Sequence, residues 1–145
     1  MPNLVTQGKA LFGDAVIADG GANNGAPVAR CAVVTLTAAT GAGGALAWEN
    51  PTGGRILITS VAIDVTVAAT SGTIDVGVEG ISTSDDTLID GGAVNAVAVI
   101  NSGDNSGTNG ALMRAAADGQ YVTGSITGTV GSFAGTAYIT YVPFA

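Results

Sequence analysis

Asp64, Asp75 and Glu79 lie in the stretch ITSVAIDVTVAATSGTIDVGVEG, Ile58 to Gly80, which holds no basic residue, histidine or cysteine. Paired carboxylates can share general-acid and general-base work, as in glycoside hydrolysis, when a pocket drives their pKa values apart. The pattern here argues against that chemistry. Val61, Ile63, Val65 and Val67 alternate with Ala62, Asp64, Thr66 and Ala68, and Ile74, Val76 and Val78 alternate with Thr73, Asp75, Gly77 and Glu79. Period-two alternation marks half-buried strands and puts all three acids on the polar face. Acids there keep strands soluble and discourage edge pairing. The stretch reads as a β-hairpin arm turning at AATSG, a wall and not a site, and no enzymatic activity is expected.

Other sources of chemistry are equally thin. The chain has no histidine, the commonest general base and zinc ligand, and a single cysteine, Cys31. One cysteine forms no internal disulfide, and without a histidine to activate it Cys31 is expected to be a small buried hydrophobe. Two acidic groups raise the question of calcium: Asp85 and Asp86 with Asp90, and Asp104 with Asn105 and Asn109. Calcium takes six to eight oxygens, several of them charged. The second loop has one carboxylate and no terminal bidentate acid, so no metal or other cofactor is expected. Sugar sites want stacking aromatics, and Trp48, beside a turn, is expected to plug the core or its rim. No GxSxG, P-loop or GxGxxG stands between a strand and a helix.

The composition sets the same bounds. A chain of 145 residues fits one domain and can bury a core without staples. Gly and Ala make up about a third of it and aromatics 5 %, so the core should be thin and built from Val, Ile and Leu. Charged residues are 10 % of the chain, against about 25 % in typical soluble domains. Lys9, Arg30, Arg55 and Arg114 are the only cations, and the net charge is −7. Nucleic acid and anionic membrane surfaces are therefore not expected partners. So little charge suits a surface that is uncharged-polar or covered by another protein. The first segment lacks the h-region of a signal peptide, and the uncharged runs 31–48 and 119–145 are broken by Gly, Thr and Ser, unlike membrane helices.

The elements follow from period and punctuation. Residues 1–28 show no sustained periodicity and are expected to form an irregular arm, anchored by a few apolar side chains and ending in the Gly/Asn-rich DGGANNGAP; a first strand followed by a long loop is the other reading. Residues 29–145 are expected to fold as one β-domain. CAVVTLTA, ALAWEN, the Val61 and Ile74 runs and VNAVAVI read as strands; STSDDTLIDGGAV reads as a loop with Leu88 and Ile89 turned inward. ALMRAAADG favours one or two helical turns. The chain closes on a hairpin: QYVTGSITGTV, with Val122, Ile126 and Val130 on one parity, turns at GSFAG into TAYITYVP, where Ala137, Ile139 and Tyr141 oppose Tyr138, Thr140 and Val142. Seven or eight short antiparallel strands point to an all-β sandwich or jelly roll.

LAWENPTGGRILITSVAIDVTVAATSGTIDVGV, TLIDGGAV and the closing QYVTGSITG and GTAYITYVP resemble small structural proteins of tailed bacteriophages, namely capsid decoration (cement) and head-fibre proteins. The likeness runs from about Leu46 to Pro143. It implies a β-sandwich on the capsid surface of the virion, assembled in the host cytoplasm, that bridges neighbouring major capsid proteins as a dimer or trimer. Leu4, Val5, Leu11 and Phe12 of the arm and the terminal Phe144 are then the expected contacts with capsid or a sister subunit. A head- or tail-fibre module that binds a host-surface ligand is the alternative.

Overall fold

The computed structural model describes residues 28–80 and 85–144. Among these it contains nine strands and no helix: β1 (Arg30–Thr35), β2 (Leu46–Glu49), β3 (Ile56–Val67), β4 (Thr73–Glu79), β5 (Ile89–Ala93), β6 (Ala98–Asn101), β7 (Arg114–Ala116), β8 (Tyr121–Thr127) and β9 (Ala134–Pro143). They form two antiparallel sheets that pack as a sandwich. One runs β1-β9-β3-β6, with β7 also paired to β3, and the other runs β2-β8-β4-β5.

The backbone of the first sheet is β3, which pairs with β9 along its whole length and with β7 and then β6 on its other side. Two register shifts break its ladder with β9, at Thr59 and at Thr66. Each extra residue is a threonine whose hydroxyl donates to a β9 carbonyl, Thr59 to Thr140 and Thr66 to Ala134, both at 3.1 Å. A bulge moves the following side chains to the other parity. Ile56 and Ile58 thus share the inner face with Val61, Ile63 and Val65, all fully buried, whereas Val67, past the second bulge, turns out to solvent.

The inner faces meet in a core of Ile, Val and Leu, where Phe133 and Tyr141 are the only buried aromatics among the described residues. Ala137, Ile139 and Tyr141 point inward as their parity predicts, Val122 and Ile126 do the same from β8, and Leu88 and Ile89 are fully buried. Trp48, on β2, packs its ring on Tyr141 of β9 at 5.1 Å and so plugs the rim between the sheets.

Several local expectations are overturned. ALMRAAADG forms β7, not a helix: Ala116 is buried opposite Ile56, and pairing with β3 outweighs the helical preference of Ala, Leu and Arg. IDGGA is a strand, β5, and only the last three residues of VNAVAVI are strand, in β6; the bend over 95–97 carries the chain from one sheet to the other. The expected hairpins at AATSG and GSFAG are arches instead: β3 and β4 lie in different sheets, as do β8 and β9. Each arch carries its partner strand across the core, and the two run side by side, with Ser71 N–H donating to Thr129 O and Thr129 N–H to Ser71 Oγ.

Candidate interaction face

The two outer faces of the sandwich differ. On the β2-β8-β4-β5 sheet, the outward side chains Thr123 and Ser125 are buried. Two loops roof them. Gly43 of the β1–β2 loop donates its N–H to Ser125 Oγ at 3.0 Å. Asp85, ahead of β5, lies so close over Gly77 that a Cβ there would sit 2.6 Å from its side chain. Asp85 is fixed in place by Thr87, whose hydroxyl donates to Asp85 Oδ2 at 2.6 Å and accepts from Val78 N–H. Under this roof Thr123 Oγ1 is buried without a hydrogen-bond partner among the described residues.

The outer face of the other sheet is open. Register aligns its side chains in rows across four strands: Val33, Tyr138, Ala62 and Asn101 in one, and Thr35, Thr136, Asp64 and Val99 in the next. Cys31, Thr140 and Ser60 begin a third. Asp64 is the sole charge in these rows. Val33 is 65 % exposed, Val99 64 % and Tyr138 40 %, and Val97 at the adjoining bend is exposed as well. A nearly uncharged sheet face with its large apolar side chains in solvent is the composition expected of a surface that another protein covers.

Cys31 belongs to this exposed face and is not buried as the sequence suggested. The segment Cys31 to Val34 is apolar on both parities, and Ala32 and Val34 take the inner positions opposite Ile139 and Ala137. Val33 and Val99, the most exposed of the large apolar side chains in the rows, escape a reading that assigns every alternating Val to a core. The available signal was strands apolar on both faces, in β1 and β6.

The three acids do not converge. Asp64 projects from the outer face of one sheet and Asp75 from that of the other, so the core lies between them. Asp75 Oδ1 accepts from Gly91 N–H at 2.8 Å, and Glu79 Oε2 from Gly80 N–H at 3.1 Å. The two acidic loops instead meet each other. Asp90 Oδ2 accepts the backbone N–H groups of Thr108 and Asn109, and Asp86 Oδ2 accepts from Asn109 Nδ2. Their carboxylates fasten the 101–110 loop to the β5 strand, and no group of three or more metal-ligating side chains forms among the described residues.

Phe144, the expected contact at the chain's end, is half-exposed and has the Arg55 guanidinium 5.2 Å from its ring centre. Its N–H donates to Arg55 O, which carries the β9–β3 pairing one step past Pro143. Leu4, Val5, Leu11 and Phe12 lie outside the described residues. At the same end of the sandwich, a hydrogen bond to the Glu49 carboxylate raises the pKa of Tyr121, because it favours the protonated phenol. No helix among the described residues is long and apolar enough to cross a membrane. Compared with protein-family models and with curated proteins, the chain matches none.

Proposed function

We propose that this protein is a virion structural protein, a decoration protein that docks on the assembled head of a tailed phage and bridges neighbouring major capsid proteins. The observation that carries the reading is the contrast between the two faces: one roofed by its own loops, the other unroofed, poor in charge and studded with exposed Val33, Val99 and Tyr138. In this reading the open face lies on the shell and the roofed face looks outward to solvent. Among the described residues Asp64 and Asp75 face away from each other and no metal-ligating group forms; in this reading the work done is mechanical. Each copy buries a modest interface, many copies repeat it over the lattice, and docking stabilises the folded chain because only the folded form binds.

The test is sedimentation of purified protein with phage heads stripped of it or made without it. Saturable binding is expected for the wild type, with loss of binding in a Val33→Asp/Val99→Asp variant that keeps its β circular dichroism. Absence of binding by the wild type would remove the reading. Binding to host glycans by the same purified protein would favour a fibre module in its place.

A further inference from the structure

In an unstructured chain an Asn-Gly pair converts spontaneously, because glycine has no side chain to keep its nitrogen from the asparagine carboxamide. The chain has two such pairs, of which Asn24-Gly25 lies outside the described residues. The other, Asn109-Gly110, closes the 101–110 loop with the Asn109 side chain exposed. Both of its reacting groups are held. Gly110 N–H, whose nitrogen would attack, donates to Ser106 O at 2.6 Å. The Asn109 carboxamide, which would be attacked, donates through Nδ2 to Asp86 Oδ2 at 2.9 Å. Asn109 N–H donates to Asp90 Oδ2 and Ala111 N–H to Thr87 O, both at 3.0 Å, so the backbone is fixed on either side of the pair. Gly110 also lies against main chain: a Cβ there would run into Ser106 O and sit 2.8 Å from Leu88 O. Ring closure requires the Asn109–Gly110 peptide to rotate toward the Asn109 side chain, and these contacts oppose that rotation.

We infer that Asn109 is a latent modification site, kept as asparagine by the Asp86 and Asp90 carboxylates and converted to aspartate and isoaspartate only when the loop opens. In the step itself, water takes the Gly110 amide proton and the nitrogen bonds to Asn109 Cγ. The Cγ–Nδ2 bond breaks, and Nδ2 leaves as ammonia after taking up a proton. Water then opens the cyclic imide. Cleavage of the bond from Gly110 N to Cγ leaves aspartate at 109, and cleavage of its bond to the backbone carbonyl carbon leaves isoaspartate. The net change consumes water and releases ammonia, and nothing is oxidised or reduced. The product does not re-form the latch. Its new carboxylate replaces the donor to Asp86 and adds a like charge beside Asp86 and Asp90. Isoaspartate also inserts a methylene into the main chain ahead of Gly110. The loop, which takes the Asp90 N–H on Asn105 O, is thereby released from β5 for good.

The test is peptide mass spectrometry of the full chain, incubated at neutral pH and sampled over time for the amide-to-acid mass change at Asn109. The folded wild type is expected to convert far more slowly than the same chain unfolded in urea. Asp90→Ala, which frees the Thr108 and Asn109 N–H groups, is expected to convert roughly threefold faster than wild type or more. Ile63→Val weakens the buried core by a comparable amount without touching the loop. It should convert at the wild-type rate, which separates local opening from global unfolding. Both variants are to keep the wild-type β circular dichroism. Conversion of the folded wild type as fast as in urea overturns the proposal. An Asp90→Ala rate equal to that of wild type overturns it too, as does equal acceleration by Ile63→Val.

Discussion

Gly72 and Gly128 stand against each other where the chain twice crosses from one sheet to the other. Both have positive φ, +120° and +125°. A Cβ on Gly72 would run into the Thr127 carbonyl, and one on Gly128 would meet Ser71 O and Gly72 Cα. The two arches can run side by side only because neither residue has a side chain.

Replacing either of these glycines with alanine is therefore expected to destabilise the fold by about 2 kcal/mol or more, through strained backbone and collision together. Gly54→Ala is the control: a Cβ there meets nothing within 4 Å. Urea denaturation should show a clear fall in midpoint for Gly72→Ala and Gly128→Ala and almost none for Gly54→Ala.

This junction also marks the limit of what the sequence could tell. The alternation of Val61, Ile63 and Val65 with Ala62 and Asp64 was legible, because the period of side chains in a strand is local. Whether AATSG returns the chain to the same sheet or sends it across the core was not, because β4 finds its partners β8 and β5 elsewhere in the chain. The bulge at Thr59 was equally hidden. It shows only in the parity change from Ile58 to Val61, which resembles ordinary irregularity until the β9 register is known. ALMRAAADG was misread because single-residue preference is weak against a waiting edge of β3. Cys31 lies outside the core because a run apolar on both faces does not say which face is inside.

Asp90 holds the 101–110 loop by two backbone N–H groups of exposed residues, which turn to water when its carboxylate is removed. Asp90→Ala is expected to cost about 0.5–1.5 kcal/mol and to open the loop to limited proteolysis near Thr108. Asp104→Ala, whose carboxylate accepts from Asn101 Nδ2 on the surface, should have a smaller effect. Equal cleavage rates in wild type and Asp90→Ala would contradict this role.

Hydrogen bonding to the Glu49 carboxylate holds the Tyr121 phenol's pKa above the ordinary tyrosine value. The folded-state value is the higher one, so the stabilisation is complete below the unfolded tyrosine pKa. It is lost as pH rises through the raised folded pKa. Glu49→Gln is expected to bring the Tyr121 midpoint down in an ultraviolet titration. An unchanged midpoint would show that the carboxylate is not the cause.

Exposed and buried valines and isoleucines of the same strands should respond oppositely to substitution. Ile63→Ala, at a fully buried site on β3, is expected to lose about 2–5 kcal/mol. Val99→Ala, on the open face beside Asp64, should stay within about 0.5 kcal/mol of wild type. Comparable losses at both positions, measured by thermal unfolding, would mean that the Val99 face is covered in the isolated protein.

Cryo-electron microscopy of tailed-phage heads that bind the purified chain is the sharpest test of the proposed docking. The account predicts copies of the sandwich on the head, with the Val33–Tyr138–Val99 face against the major capsid protein and the Thr123 face outward. Heads that carry no such density, or copies seated through the roofed face, would contradict it.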